Sequence, residues 1–179
     1  GADLSEFGSA SSISEGRRIR WDRDPWNLLS ELSCPTIVEL HGYTVGSGLE
    51  MALLCDLRIA SDDAVVGLPE TKLGMLPAAG GTQSLTRAIG PNQASSIVLS
   101  ARNLTAREAH GLGVVHEVVP RGQLEATARA IAARLASLDP RVVRSLKRCL
   151  AAAYDLPLEQ GLTLERSLAG QNWAWESRP

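Results

Sequence analysis

The sequence lacks a basic excess and any hydrophobic run long enough to cross a membrane. Its 18 lysines and arginines stand against 20 aspartates and glutamates, which gives a formal net charge of -2 at pH 7. Non-specific binding of nucleic acid normally needs a positive excess, so a polynucleotide partner is not expected. No apolar stretch approaches the roughly 20 residues of a membrane-spanning helix, so no membrane partner is expected either. We predict a cytoplasmic protein, with the mitochondrial matrix as the eukaryotic alternative.

Cysteine and histidine are scarce, and neither residue type is clustered. Cys34, Cys55 and Cys149 are widely spaced, odd in number and set in apolar surroundings. This usage is typical of reduced thiols and does not suit a disulfide framework or a metal cluster. We interpret all three as packing residues, because free cysteine is usually buried. The three histidines have no spacing that suggests a metal site, so no metal is expected.

What the sequence does contain is the composition of an ordinary globular domain. It has 179 residues, of which 44% are hydrophobic and 21% charged, enough for one sizeable core. No linker and no low-complexity stretch divides the chain. We therefore predict one α/β domain, with a sheet-rich part over residues 1–120 and a C-terminal helical region over residues 121–179.

Hydrophobic periodicity and turn residues predict alternating strands and helices in the first part of the chain. Asp24-Pro25 predicts the start of a short helix, with a capping acceptor followed by proline. Residues 36–40 predict a strand that is closed by a turn, and residues 48–55 predict the helix after it. Residues 57–60 and 64–67 are brief apolar runs, which predict two further short strands.

Capping signals and apolar spacing predict the remaining elements. Thr82 is the expected N-cap of a helix that ends at Gly90, after a flexible loop over residues 77–82. Thr105 to Glu108 fits a capping box, and residues 114–119 predict a strand. Three amphipathic helices then follow, one from Leu124 to Leu138, one after Asp139-Pro140, and one from near Pro157.

Two glutamates in glycine-punctuated apolar sequence are the candidate acid/base pair. Glu50 follows Gly46-Ser47-Gly48-Leu49, and Glu70 follows Leu68-Pro69. An apolar pocket shifts the pKa of a carboxyl toward the working range of an acid or base, and two close carboxylates push their pKa values apart. One could then hold a proton while the other accepts one. The alternative is that Glu50 faces solvent on a helix and Glu70 caps the turn after Pro69.

The ordered motifs around these glutamates resemble the crotonase family, the enoyl-CoA hydratase and isomerase superfamily, over nearly the whole chain. Residues 1–4 resemble its first oxyanion-hole motif, and residues 42–50 resemble its second. Residues 67–83 resemble its long loop-and-helix signature. The resemblance implies an α/β fold, a crotonase-like spiral of ββα units with a C-terminal helical region, and a homo-trimer or dimer of trimers. Family chains extend farther upstream, so the spiral core over residues 1–120 is expected to be incomplete at its N-terminus.

The resemblance also implies a reaction, the reversible addition of water to trans-2-enoyl-CoA thioesters, as in fatty-acid β-oxidation. Glu50 would position and activate the water, and Glu70 would deliver a proton to the α-carbon. The backbone N–H groups of Ala2 and Ser47 would form the oxyanion hole. The segment implied to bind substrate is Ala2, Asp3 and Leu4. No cofactor is expected, because coenzyme A is part of the substrate.

Three points stay open at the level of the sequence. Ser47 stands where many family members have glycine, which puts the geometry of the oxyanion hole in question. Trp21 and Trp26 could line the acyl pocket or simply pack. The alternatives to a hydratase are an enoyl-CoA isomerase, in which Glu70 shuttles the proton, and a non-catalytic or RNA-binding relative.

Overall fold

Successive strands of the computed structural model enter two different three-stranded sheets. The model describes residues 1–6, 8–22 and 24–173. The first sheet has the order β1-β3-β6 with parallel pairs, and in the second β2 pairs parallel with β4 while β4 pairs antiparallel with β5. The strands are β1 (Ile37–Leu40), β2 (Tyr43–Val45), β3 (Leu57–Ser61), β4 (Val65–Gly67), β5 (Asn103–Thr105) and β6 (Glu117–Val119).

Helices connect these strands and return the chain from the second sheet to the first. Two turns of the resulting spiral are β1-β2-α3 and β3-β4-α4, each with one strand in each sheet. The α-helices of the described residues are α1 (Ile13–Asp22), α2 (Pro25–Ser30), α3 (Ser47–Leu54), α4 (Gly81–Ile89), α5 (Pro91–Ser100), α6 (Ala106–Gly111), α7 (Leu124–Ala136), α8 (Pro140–Ala152) and α9 (Leu158–Trp173). Short 3-10 turns occupy Leu4–Glu6, Glu70–Leu73 and Arg121–Gln123. The predicted α/β spiral with a C-terminal helical region is therefore present.

The capping signals explain where two of the helices begin. The side chain of Asp24 accepts hydrogen bonds from the N–H groups of Trp26 and Asn27, and Pro25 is the first residue of α2. The Thr105 hydroxyl accepts from the N–H of Glu108, whose carboxylate accepts from the N–H of Thr105 in return. Both predictions are confirmed.

Two local predictions are wrong for physical reasons that the structure makes visible. Thr82 is not an N-cap, because it lies inside α4, which begins at Gly81. The N-cap is Gly80, which has φ of 98° and forms no side-chain hydrogen bond. The strand predicted over residues 114–119 is confined to Glu117–Val119, because the N–H groups of Val114 and Val115 both donate to the Ala109 carbonyl. The short elements β2, α5 and β5 were not predicted.

The main hydrophobic core joins α3, α4, α5 and α6 to strands of both sheets. Its large buried side chains include Leu40, Leu49, Val66, Leu68, Leu85, Ile97 and Leu104. A second cluster, formed by Ile59, Val119, Leu124 and Ala128, packs α7 against β3 and β6. The main core holds α3 and β4 firmly, and the two candidate glutamates lie on α3 and shortly after β4.

The C-terminal helices are much less buried than this core. No residue of α8 is fully buried, and Leu168 is the buried residue of α9. Lys147 connects α8 to the segments before β1 and β3, because its Nζ donates to the Cys34 carbonyl at 2.8 Å and to Asp56 Oδ2 at 2.7 Å. Within the described residues, no helix is long and apolar enough to cross a membrane. The last six residues of the helical region predicted over 121–179 lie outside the described residues.

The three cysteines are free, and they differ in burial. Cys55 is buried and Cys149 is half-buried, which agrees with their interpretation as packing residues. Cys34 is exposed. The packing interpretation is therefore wrong for Cys34, which lies in the irregular segment between α2 and β1, outside both hydrophobic clusters.

Candidate active site

A cavity of about 430 Å³ brings both candidate glutamates together. The N-terminal segment, α2, the β2–α3 turn and the segment from Pro69 to Ala79 contribute to its lining. Ala2, Leu4, Trp26, Ser47, Glu50 and Glu70 all line it. A larger cavity of about 480 Å³ lies between the segment before β1 and helices α7 and α8, but no acidic side chain lines it. The carboxylate pair therefore makes the first cavity the candidate active site.

Glu50 is held in a fixed orientation by backbone groups of another segment. It lies in the first turn of α3, and only 2% of its surface is exposed. Its Oε1 accepts hydrogen bonds from the N–H groups of Ala79 and Gly81, each at 2.9 Å. A Cβ at position 81 would lie 2.9 Å from both Cγ and Oε1 of Glu50, so this approach requires glycine. The alternative of a solvent-facing Glu50 is excluded.

Glu70 lines the same cavity in a different environment. Its Oε2 is buried and has no hydrogen-bond partner among the described residues. Burial raises the pKa of Glu70, the backbone N–H of the same residue opposes that rise, and the charge of Glu50 adds to it. The side chain does not cap the turn Glu70–Leu73, whose N-cap is Pro69 without a side-chain bond. Glu70 is therefore suited to hold a proton at a higher pH than an ordinary glutamate.

The N-terminal segment lies against the turn between β2 and α3. A Cβ at Gly48 would stand 3.0 Å from the backbone N of Gly1, and a Cβ at Gly1 would stand 2.6 Å from the Val45 carbonyl oxygen. These approaches bring Ala2 and Ser47 to the same wall of the cavity. Ser47 is the first residue of α3, so its N–H has no acceptor within the helix.

Of the three residues predicted to bind substrate, Ala2 and Leu4 line the cavity and Asp3 does not. The Oδ1 atom of Asp3 instead accepts hydrogen bonds from the N–H and the hydroxyl of Ser5 at 2.9 and 2.8 Å, and these bonds lower the pKa of Asp3. Trp26 lines the cavity, whereas the side chain of Trp21 lies outside the described part of the structure.

Two sets of site residues were missed by sequence reasoning. Backbone N–H groups of Ala79 and Gly81 hold Glu50, in a loop that was predicted only to be flexible. Leu73, Met75 and Leu76 line the cavity and are also partly or largely exposed, so they form an apolar mouth. The signal available in the sequence was the apolar run on both sides of Gly74.

The histidines take part in local structure. His116 Nδ1 accepts from the N–H of Arg58 at 3.1 Å, and His110 Nδ1 lies 3.1 Å from the Val115 carbonyl oxygen. Across the described ranges, no group of three or more His, Cys, Asp or Glu residues could hold a metal ion.

Comparisons with known proteins extend over nearly the whole chain. A family model described as enoyl-CoA hydratase/isomerase matches residues 1–178. A relative from Dictyostelium discoideum, named "Probable enoyl-CoA hydratase, mitochondrial", is 42% identical over 143 residues, which are 80% of this chain and 52% of the relative. The chain thus spans about half the length of this curated relative.

Solved structures show the same fold. An enoyl-CoA hydratase from Bacillus anthracis has a TM-score of 0.89 and is 36% identical, and the match covers 95% of this chain and 66% of that one. A protein from Thermobifida fusca YX, crystallised in complex with acetoacetyl-CoA, also has a TM-score of 0.89 and is 28% identical, covering 97% of this chain and 72% of that one. The resemblance inferred from the sequence motifs, and the fold it implied, are confirmed.

Proposed function

The chain belongs to the enoyl-CoA hydratase/isomerase family, and we propose that it adds water reversibly to trans-2-enoyl-CoA thioesters. One observation carries this proposal. Two carboxylates from distant positions line one cavity, and their surroundings differ: backbone N–H groups hold Glu50, whereas Glu70 has a buried, unpartnered oxygen and a raised pKa. Hydration needs both a base and an acid, and this pair supplies them.

Glu50 acts on the water. Its Oε1 is occupied by two N–H donors, so Oε2 is the oxygen available to accept a proton. As the water oxygen bonds to the β-carbon of the substrate, one water proton passes to Glu50. The electron pair of the α,β double bond moves toward the thioester, and the thioester oxygen becomes negatively charged.

Glu70 supplies the proton that completes the addition. Its raised pKa keeps it protonated to a higher pH than a surface glutamate. The proton passes from Glu70 to the α-carbon as the enolate electron pair returns to that carbon. Exchange with solvent then restores the proton on Glu70 and removes the one on Glu50, so the pair is ready for another turnover.

The backbone N–H groups of Ala2 and Ser47 stabilise the negative charge on the thioester oxygen. Both residues line the cavity beside the carboxylates, and the Ser47 N–H has no acceptor in its own helix. Preorganised donors of this kind lower a barrier because they face charge that develops only in the transition state. Loss of one such donor typically costs about 3 kcal/mol. Coenzyme A enters as part of the substrate.

The test is hydration of crotonyl-CoA and of a longer enoyl-CoA by the purified protein, followed as loss of ultraviolet absorbance. Glu50→Gln keeps the acceptor for the two N–H groups but removes the base, and Glu70→Gln removes the acid. We expect each variant to lose more than about a hundredfold of the rate, since one acid or base group contributes 10²- to 10⁴-fold. Glu165→Gln on α9 is the matched control, since it changes an exposed glutamate outside the cavity.

An inactive wild-type protein that still binds CoA thioesters would exclude a hydratase. Full activity in either glutamine variant would exclude the two-carboxylate mechanism. Neither result would change the membership of the family, which rests on the sequence match.

An enoyl-CoA isomerase is the second candidate, and the asymmetry of the two glutamates is the observation that favours it. In an isomerase Glu70 alone would move the proton between carbons, and its raised pKa suits that task. Glu50 would then serve only to shape the cavity. Glu50→Gln would retain double-bond migration, and the wild-type protein would not hydrate crotonyl-CoA.

Self-assembly into a trimer, or a dimer of trimers, is the proposal that the exposed C-terminal helices support. α8 has no fully buried residue, and its apolar side chains Leu146 and Leu150 are exposed, as are Leu158 and Trp173 of α9. Exposed apolar patches of this kind commonly mark protein interfaces. Light scattering on the purified protein tests this proposal, and the mass of a monomer at micromolar concentration would contradict it.

A further inference from the structure

Ser47 lies between two glycines, and the neighbours of both glycines leave little room for a side chain. A Cβ at Gly46 would stand 3.0 Å from Oε1 of Glu70, and a Cβ at Gly48 would stand 3.0 Å from the backbone N of Gly1. The position between them carries a side chain and lines the cavity. Ser47 therefore adds one hydroxyl to a wall that glycine keeps open on both sides.

The Ser47 hydroxyl forms no hydrogen bond with the described residues. Serine at the start of a helix commonly accepts a backbone N–H as an N-cap. Here the N-cap is Gly46, and no side chain caps α3. The hydroxyl is therefore available to a molecule in the cavity.

Covalent geometry places that hydroxyl beside the backbone donor of the same residue. In staggered rotamers a serine Oγ lies about 3 to 4 Å from its own backbone N. The N–H and O–H of Ser47 can thus point at one acceptor oxygen. A hydroxyl also rotates freely, so it can follow the acceptor as its charge develops.

The two carboxyl groups of the cavity make an extra donor to the thioester oxygen useful. Glu50 and Glu70 line the same space, and the negative charge that forms on a thioester oxygen is repelled by an ionised carboxylate nearby. A hydroxyl stabilises that charge without bringing in a positive charge that would form an ion pair with either glutamate. It also offers a hydrogen bond to a charged acceptor, which is stronger than one between neutral groups.

We propose that the Ser47 hydroxyl donates a hydrogen bond to the thioester oxygen of the substrate, beside the backbone N–H of the same residue. This proposal rests on the proposed function, since it needs an acyl-CoA thioester in the cavity. It makes Ser47 a catalytic residue through its side chain, in addition to its expected backbone role. Among the described residues, Ala101 is the non-glycine residue with a positive φ, so the backbone conformation of Ser47 does not require glycine. The hydroxyl would then be an added donor in the oxyanion hole.

The first part of the test compares Ser47→Ala with Ser47→Thr. Both keep the backbone N–H and a Cβ, but only threonine keeps the hydroxyl. We expect Ser47→Ala to lower kcat for crotonyl-CoA by about 10- to 100-fold, the range for a hydrogen bond to a charged group, with KM changed less than about threefold. Ser47→Thr should restore most of the rate, and Ser95→Ala, at an exposed position of α5, should match wild type.

The second part reads the hydrogen bond directly with 2,4-hexadienoyl-CoA. Donors that polarise the thioester carbonyl lower the energy of the conjugated chromophore, so its absorbance shifts to the red on binding. We expect Ser47→Ala to lose a measurable part of the shift that wild type produces, and Ser47→Thr to regain it. Equal melting temperatures of wild type and Ser47→Ala establish that the fold is intact.

Two results would overturn the proposal. A full red shift in Ser47→Ala means that the hydroxyl does not contact the thioester oxygen, even if kcat falls. An unchanged kcat in Ser47→Ala means that the hydroxyl does not act in the reaction. A wild-type protein that never hydrates crotonyl-CoA, yet shows a red shift that Ser47→Ala reduces, would refute the hydratase and leave the hydroxyl as a donor.

Discussion

The two glutamates of the cavity are the same residue type in different settings. Glu50 is almost fully buried and receives hydrogen bonds from the N–H groups of Ala79 and of Gly81, the first residue of α4. Glu70 begins a 3-10 turn, and its Oε2 is buried without a partner among the described residues. Backbone N–H groups of another segment fix the first carboxylate, whereas the main influence on the second is its partial removal from water.

This difference shows how one residue type can take two chemical roles within one cavity. Backbone donors fix the orientation of a carboxylate because they leave one oxygen occupied and the other directed elsewhere. Burial raises the pKa of Glu70 instead, because it disfavours the charged form, and this effect exceeds that of the backbone N–H of the same residue. In the proposed mechanism, the roles of base and acid follow from the neighbours of each glutamate and not from the residue type.

The largest effect is expected from disrupting the Glu50 side with Gly81→Ala. The new methyl would lie 2.9 Å from Cγ and Oε1 of Glu50, and 3.0 Å from Cδ1 of Leu68, which is fully buried. We expect the hydration rate to fall more than about a hundredfold, because displacement of a catalytic group by about 1 Å has effects of that size. The free energy of unfolding should fall by about 1–3 kcal/mol, as in other overpacked sites.

Gly161→Ala is the control for that substitution. Gly161 lies in α9, and nothing stands within 4 Å of the position of its Cβ. The control should raise the free energy of unfolding by up to about 1 kcal/mol, because alanine is the better helix former, and should leave activity unchanged. Equal activity of Gly81→Ala and wild type would contradict the tight contact at Glu50.

The pH dependence of the hydration rate tests the role of Glu70 as a proton donor. If Glu70 gives its proton to the substrate, the hydration rate should fall about tenfold per pH unit above the pKa of Glu70. The raised pKa places that fall at a higher pH than an ordinary glutamate would. The residual rate of Glu70→Gln should lack this fall, and measurement across about pH 5 to 9 compares the two. If the rate of Glu70→Gln still falls at high pH, another group is responsible for the fall.

The free energy of unfolding should also depend on the protonation of Glu70, and it should fall as the pH rises. A raised pKa means that the folded chain binds the Glu70 proton more tightly than the unfolded chain does. The contribution of Glu70 to stability is therefore complete below its ordinary pKa of about 4.3, and it is lost as the pH rises through the folded pKa. The melting temperature of Glu70→Gln should rise relative to wild type between about pH 4 and pH 8. A constant difference would contradict the raised pKa.

Gly46→Ala disturbs the Glu70 side, and we expect a smaller loss than at Gly81. Gly46 has φ of 58° and ψ of -129°, a sparsely populated conformation that costs other residues about 1–3 kcal/mol, and its added Cβ would stand 3.0 Å from Glu70 Oε1. That oxygen is the end of a flexible side chain and can move, so we expect a loss of about tenfold in hydration rate. Gly113→Ala is the control, with φ of 84° and no neighbour within 4 Å. It should lower stability by a similar amount and leave activity unchanged.

Sequence reasoning predicted the elements that have strong local signals. The Asp24 cap, the capping box at Thr105 and the long amphipathic helices α7 to α9 all correspond to observed elements. The strands β2 and β5 and the helix α5 were missed. A strand of three residues shows no period of its own, and its pairing with β4 brings together segments that are distant in the chain.

The same limit explains what could be predicted of the candidate site. Glu50 and Glu70 were recognisable as side chains, and the structure brings both into one cavity. The N–H groups of Ala79 and Gly81 were not recognisable, because every residue except proline has one and only the folded path of the chain aims it at Glu50. Asp3 was grouped with Ala2 and Leu4 by motif alone, but its side chain bonds locally with Ser5.

Thr71→Val should have the smallest effect, and it tests whether the Glu70 side depends on a remote anchor. The Thr71 hydroxyl donates to the Val98 carbonyl at 2.9 Å, which ties the turn of Glu70 to α5. Valine keeps the shape and removes this bond, so we expect a loss of about 0.5–1.5 kcal/mol in unfolding free energy. The rate of hydration should fall only about two- to fivefold, because the turn keeps its backbone bonds and shifts slightly.

Thr163→Val separates this anchor from the general cost of removing a threonine hydroxyl. The Thr163 hydroxyl donates to the Glu159 carbonyl at 2.8 Å within α9, so its loss disturbs one helix outside the cavity. Thermal unfolding and steady-state hydration of both variants give the comparison. A rate reduced in Thr71→Val but not in Thr163→Val shows that α5 holds Glu70 in place. Equal rates would show that the hydrogen bond to α5 does not position Glu70, and that the turn and the burial of Glu70 are sufficient.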